Sequence, residues 1–183
     1  MIKYCTADST EDLQQILNLQ AMNLAENITD QELKEQGFVT VKHTLEVLSR
    51  MNHPFPHVIA KSSGKVIGYA LVMLKDFAQD IPVLSPLFEQ IIQLEVDGDL
   101  LNNAEYFVMG QVCIDKNFRS KGVFYGLYQH MKTCMSSKYD YVVTEIAEHN
   151  IRSCRAHEKV GFRNIKNYQH QKDNWNIVVW DWL

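Results

Sequence analysis

The residues best suited to chemistry lie together in Ile114-Asp115-Lys116-Asn117-Phe118-Arg119-Ser120-Lys121-Gly122-Val123-Phe124. Apolar Val112-Cys113-Ile114 reads as the end of a strand. The chain then breaks at Asp115-Lys116-Asn117, and Val123, Leu127, Met131 and Cys134 recur at helical spacing. A strand, a cationic glycine-containing loop and a helix start in this order make a site for a polyanion, phosphate above all. The helix start offers unbonded N–H groups and the positive end of its dipole. Arg119 and Lys121 add charge, and Gly122 lets the backbone come close. The loop is neither G-x-x-x-x-G-K-[ST] nor G-x-G-x-x-G. Read by itself, it could equally be a solvated turn before a surface helix.

A second motif follows one strand later. Arg119 to Phe124 resembles the Q/R-x-x-G-x-G/A loop of GNAT-type N-acetyltransferases. Asn150, Ser153, His157, Lys159, Gly161 and Phe162 fall in register with that family's N-x-x-A-x-x-x-Y-x-K-x-G-F pattern. The resemblance covers residues 106 to 165, and the flanking elements suit the family's plan. Three positions depart from it: Phe124 stands where the family has a small residue, Ser153 where it has alanine, and His157 where it has tyrosine.

The resemblance implies an acetyltransferase moving an acetyl group from acetyl-CoA to a primary amine of a small molecule or peptide by direct attack. No metal is implied. Ser120, Lys121, Gly122, Val123 and Phe124 would hold the pyrophosphate through backbone N–H groups, with Arg119 and Lys121 beside it. Val112, Cys113 and Ile114 would bond the pantetheine arm through main chain, with Cys113 lining the site rather than attacking. Asn150 would cap a helix and also bond the pantetheine or a water. His157 would protonate the leaving thiolate, or merely pack beside the coenzyme. Glu145, an acid in an otherwise apolar strand, is the candidate base, with exposure at a sheet edge as the plain alternative. Glu148 or a water chain would be the substitute. Residues 24–55 and 75–104 would contact the acceptor: Phe38, Phe55, Phe77 and Phe88 as an apolar wall, Asp76, Asp80 and Glu89 as attractors of a cation. A non-catalytic acyl-CoA-binding regulatory module is the alternative function.

These groups need a scaffold. The pattern gives a strand from Ile2 to Cys5 and a helix capped by Ser9 or Thr10. One or two helices follow between Gln31 and Asn52, broken near Gly37. Next come a hairpin about Ser62-Ser63-Gly64-Lys65, a helix from Ser85-Pro86, a β-α-β unit from Tyr106 to Ala147, a short helix closed by Gly161, and one or two last strands. The expected fold is α/β, a central mixed sheet flanked by helices around a βαβ coenzyme-binding core, in one domain over residues 1–183. At 183 residues, 46% hydrophobic and 22% charged, the composition is that of an ordinary globular protein. A net charge of −4 argues against a nucleic-acid partner. Cys5, Cys113, Cys134 and Cys154 are scattered, with neither zinc nor disulfide spacing. No apolar run is long enough for a signal peptide or a membrane span, so a cytoplasmic protein without a membrane partner is expected. Trp175, Trp180 and Trp182 on the last strand would either pair across a homodimer or finish the core.

Overall fold

The computed structural model describes residues 1–28 and 38–183. The second expected helical region lies partly outside them. The strands β1 (Ile2–Thr6), β2 (Val58–Ser62), β3 (Lys65–Met73), β6 (Tyr106–Ile114), β7 (Tyr141–Ala147), β9 (Asp173–Asp181) and β8 (Arg163–His170) form, in that order, a seven-stranded mixed sheet flanked by helices. The chain divides into two compact units, Met1–Val72 with Gly110–Cys134, and Met73–Met109 with Met135–Leu183. Strand β6 (Tyr106–Ile114) contributes its first half to the second unit and its second half to the first.

In the first unit, β1 (Ile2–Thr6) pairs antiparallel with β2 (Val58–Ser62), which forms the expected hairpin with β3 (Lys65–Met73). Ser63 and Gly64 make its turn, both at positive φ. Helix α1 (Thr10–Asn23) starts at Ser9, whose hydroxyl accepts from the Asp12 N–H. Its Leu13, Ile16 and Leu19 are buried with Ile59, Tyr69, Leu71 and Cys113, each burial worth about 1.5–3 kcal/mol. Asp12 is buried on the same helix and pairs with Lys61 at 2.7 Å. Helix α2 (Leu45–Asn52) is tied to the sheet by buried His57. That ring accepts from the Val72 N–H and donates to the Leu48 carbonyl at 3.3 Å.

In the second unit, helix α3 (Ser85–Ile91) buries Leu87 and Ile91. A small hairpin, β4 (Glu95–Val96) with β5 (Asp99–Leu100), follows. Strand β7 (Tyr141–Ala147) runs parallel to β6, with Tyr106–Val108 registered against Tyr141–Val143. Strand β9 (Asp173–Asp181) pairs antiparallel with β7 on one edge and with β8 (Arg163–His170) on the other. The last strand therefore finishes the sheet core: Trp180 and Trp182 are buried with Phe107 and Phe162 in an aromatic cluster. Helix α5 (Ile151–Val160) ends at Gly161, where φ is +123° and a Cβ would meet Trp180 Nε1 at 2.8 Å. No helix among the described residues is long and apolar enough to cross a membrane.

Candidate active site

The loop after β6 belongs wholly to the first unit. The Asp115 N–H donates to the Ile67 carbonyl at 2.9 Å, which ends β6 against β3. Asp115 Oδ1 then accepts from the Asn117 N–H at 2.8 Å and starts one turn of 3-10 helix, Lys116–Phe118. The Arg119 side chain folds back: Nε donates to the Ile114 carbonyl at 3.1 Å, and Nη2 to Asn23 Oδ1 at 2.7 Å. Asn23 is itself held by its amide on the Leu19 carbonyl at 2.8 Å. Arg119 thus ties the loop to the end of α1 while placing positive charge beside it. Next to the loop and the α1 end lies a cavity of about 560 Å³, into which Asn23, Lys116 and Arg119 face.

Beyond Arg119 the backbone alternates in hand, with Ser120 at φ +60° and Gly122 at φ +78°. Such an alternation curls successive N–H groups toward one side, a nest suited to an anion. The Gly122 carbonyl accepts from the Gly126 N–H at 2.9 Å, which opens helix α4 (Val123–Met135) there. The first N–H groups of that helix have no intrahelical acceptor and add to the nest. Ser120, Lys121 and Gly122 are exposed, and Lys121 Nζ lies 5.2 Å from the centre of the Phe118 ring. The Phe124 ring packs on Tyr128, centroids 5.0 Å apart. Its bulk is thus accommodated within α4.

Two glycines set where this helix sits on the sheet. A Cβ at Gly68 would lie 3.2 Å from Val123 and 3.4 Å from Leu127, so β3 lets α4 settle onto it. A Cβ at Gly126 would lie 2.1 Å from Cζ of Tyr4, so α4 crosses the Tyr4 ring only because that position lacks a side chain. Cys113 is buried and its thiol is pushed up to about 12 by desolvation, which removes it as a nucleophile at neutral pH.

The second motif occupies the second unit. Asn150 caps α5, its Oδ1 accepting from the Ser153 N–H at 3.1 Å and its carbonyl from the Cys154 N–H at 3.0 Å. His157 is 2% exposed, and its Nδ1–H donates to the Ser153 carbonyl at 2.8 Å. Burial lowers its pKa to about 4, so the ring is neutral at physiological pH. It stands edge-on to Phe162, centroids 5.1 Å apart. Glu145 is half-buried on β7, its carboxyl pKa raised by burial, with the Tyr168 hydroxyl donating to Oε2. Glu148 lies exposed just past β7, its N–H on the Asn174 carbonyl.

The strand, nest and helix in one unit, and the capped Asn150 helix in the other, are the two motifs of a single family, and residues 15–162 match the model of the acetyltransferase (GNAT) family. The chain belongs to the GNAT family. GNAT proteins are acetyl-CoA-dependent N-acetyltransferases, and this chain is one by membership. No curated protein matches it in sequence. Among solved structures it is similar to the ribosomal-protein-S18-alanine N-acetyltransferase of Escherichia coli, 10% identical, TM-score 0.63, over 99% of this chain and 94% of that one. It is similar to a chain of the NatC complex bound to Gag peptide and CoA, 14% identical, TM-score 0.65, over 100% and 99%. It also resembles yncA of Salmonella typhimurium with its cofactor acetyl-CoA, 13% identical, TM-score 0.65, over 99% and 94%. At these identities the likeness is one of fold.

The GNAT core also holds a polar network that sequence reading does not find. Gln111, just before Val112 on β6, accepts at Oε1 from the Tyr69 hydroxyl at 2.6 Å and from the Gln20 amide at 2.8 Å, and donates to the Val41 carbonyl. Gln20 in turn accepts from the His43 N–H and donates to His43 Nδ1 at 2.8 Å. All four side chains are buried. With every amide direction fixed, His43 carries its proton on Nε2, and burial lowers its pKa to about 4. Among the described residues, Nε2 meets no partner. Only contacts distant in sequence reveal this arrangement. Of the acceptor-side candidates, Phe38 and Phe55 fall in the first unit and Phe77 and Phe88 in the second, all four half-buried, while Asp76 and Glu89 are exposed. Asp80 also falls in the second unit.

Proposed function

We propose that this protein transfers the acetyl group of acetyl-CoA to a primary amine of a small molecule or peptide by direct attack. The observation that carries the reading is the alternating-hand loop at Ser120 and Gly122 opening onto α4. Its N–H groups from Ser120 to Phe124 suit a pyrophosphate, with Lys121 exposed beside them and Arg119 holding the loop in shape. Registered pairing of β6 with β7 covers Tyr106–Val108, and β6 runs on to Ile114. This supports Val112–Ile114 as the stretch along which the pantetheine arm adds as a strand. Asn150 has its cap role and, beside it, would reach the pantetheine or a water.

In the reaction the amine nitrogen bonds to the thioester carbon, the carbon–sulfur bond breaks, and coenzyme A leaves as the thiolate. Holding the two reactants in line provides much of the acceleration. Glu145 would take the proton the amine sheds, and its raised pKa suits a base working near neutrality. Of the two roles open to His157, burial and the neutral ring favour packing, with the thiolate protonated from water. All four cysteines are free thiols, which agrees with a reducing, cytoplasmic setting.

Thiol release from acetyl-CoA against a panel of primary amines tests the proposal, with His157→Phe beside the wild type. Amine-dependent turnover in both supports an acetyltransferase in which His157 packs. Turnover lost only in the variant, with its fold intact, would return the proton-donor role to His157. Coenzyme binding without turnover across the panel would overturn the primary amine as the acceptor.

A further inference from the structure

The Glu145 carboxylate has a specific partner across the sheet. The three strands lie in the order β7-β9-β8, with Glu145 registered on Ile177 and Tyr168 on Trp175. Alternation puts Glu145, Ile177, Trp175 and Tyr168 on one face. The other face carries Asn176, whose amide reaches Cys154 of α5, and Trp180, which packs on Phe162. The Tyr168 side chain therefore reaches across β9, on the face away from α5, to donate to Glu145 Oε2. On that face β9 carries Trp175 and Ile177 beside the pair, with Asp173 and Asp181 at the two ends of the strand. On β8 the charged or titratable groups of the same face are Lys166, registered on Ile177, His170, registered on Asp173, and Arg163, registered on Val179.

We infer that Tyr168 is a positioning residue for the acetyl-transfer reaction, fixing the Glu145 carboxylate through Oε2 so that Oε1 faces the amine's proton. The inference rests on the reading of Glu145 as the base. A half-buried carboxylate on an apolar strand has several rotamers to choose among, and one aimed phenol selects one. The phenol also favours the charged carboxylate, against the opposing effect of burial.

The experiment is the pH profile of thiol release from acetyl-CoA with a mixture of spermidine, glucosamine and a hexapeptide with a free amino terminus. The whole protein is compared as wild type, Tyr168→Phe and Glu145→Gln. Tyr168→Phe should move the acid limb upward by about one pH unit while holding the high-pH plateau within a few-fold. Glu145→Gln should lower the plateau by about 100-fold or more. As a second measurement, carbon-13 resonances of labelled glutamate, with Glu145 assigned by its loss in Glu145→Gln, should show the same upward shift in Tyr168→Phe. An acid limb or a Glu145 titration unmoved in Tyr168→Phe would overturn the role of Tyr168. Thiol release equal in wild type and Glu145→Gln at every pH, none included, would overturn the base reading beneath it.

Discussion

Replacing Gly126 by alanine sets two effects of known size against each other. Alanine is favoured over glycine inside a helix by about 1 kcal/mol. The added methyl, however, would lie 2.1 Å from Tyr4 Cζ and 2.3 Å from its hydroxyl oxygen. An ordinary carbon contact is about 3.5–4 Å, so the ring must retreat by roughly 1.5 Å or α4 must lift off β1. Overpacking of this kind costs about 1–3 kcal/mol, with the upper half of that range fitting a rigid aromatic ring. The expected net effect is a loss of about 1–2 kcal/mol in urea unfolding, the difference between those two figures. In a Tyr4→Ala background the obstacle is gone, and the same Gly126→Ala change should stabilise by about 1 kcal/mol. The sign reversal across the four proteins is the signature. Because α4 opens at the loop proposed to hold the pyrophosphate, affinity for coenzyme A should fall in the single variant and recover in the double. A stabilising Gly126→Ala in the otherwise unchanged protein, or the same effect in both backgrounds, would refute the steric account.

Arg119→Ala removes both the Ile114 and Asn23 bonds and should weaken coenzyme A binding by about tenfold or more, read by calorimetry. Arg119→Lys should not restore it, because one ammonium cannot replace a planar fork spanning two acceptors. Acid should unfold the protein early, through His43, His57 and His157, whose pKa values are lowered by burial to about 4, 3 and 4. The unfolded chain protonates first, near 6.5, so their full contribution is present above that pH and is lost as pH falls toward the folded values. Each reduces stability by about 1.4 kcal/mol per pH unit within its window. Urea midpoints between pH 7.5 and 5 measure the slope, which His157→Gln should make shallower.

Much of the fold was legible in the sequence because its signals are local. Ser63-Gly64 between apolar runs, Ser9 ahead of a helical stripe, and Gly161 after α5 each act within a few residues of themselves. Strand β8 was not marked in the same way: Arg163-Asn164-Ile165-Lys166-Asn167-Tyr168 has too little apolar alternation, and pairing with β9 makes it a strand. The cationic glycine loop was visible from residue types, while the locking of Arg119 onto Asn23 joins positions far apart in the chain. His157 shows the limit most clearly. A histidine in the motif reads equally as a proton donor or as a packing ring, and its burial against Phe162 with a lowered pKa comes from contacts the sequence does not mark. The partnership of Glu145 with Tyr168 was hidden likewise, since it depends on the strand order β7-β9-β8.

That strand order also bears on how the chain is made. Strand β9 fills the place between β7 and β8, yet it is synthesised after both. Until Asp173–Asp181 leaves the ribosome, the apolar edge from Val142 to Ile146 has no partner there and offers unsatisfied main chain to any neighbouring strand. The β8–β9 hairpin, being local, is the piece that can form quickly; docking it on β7 closes a long loop and is the slower event. The vulnerable period of this protein's life is thus the short one after β7 is made and before its last strand arrives.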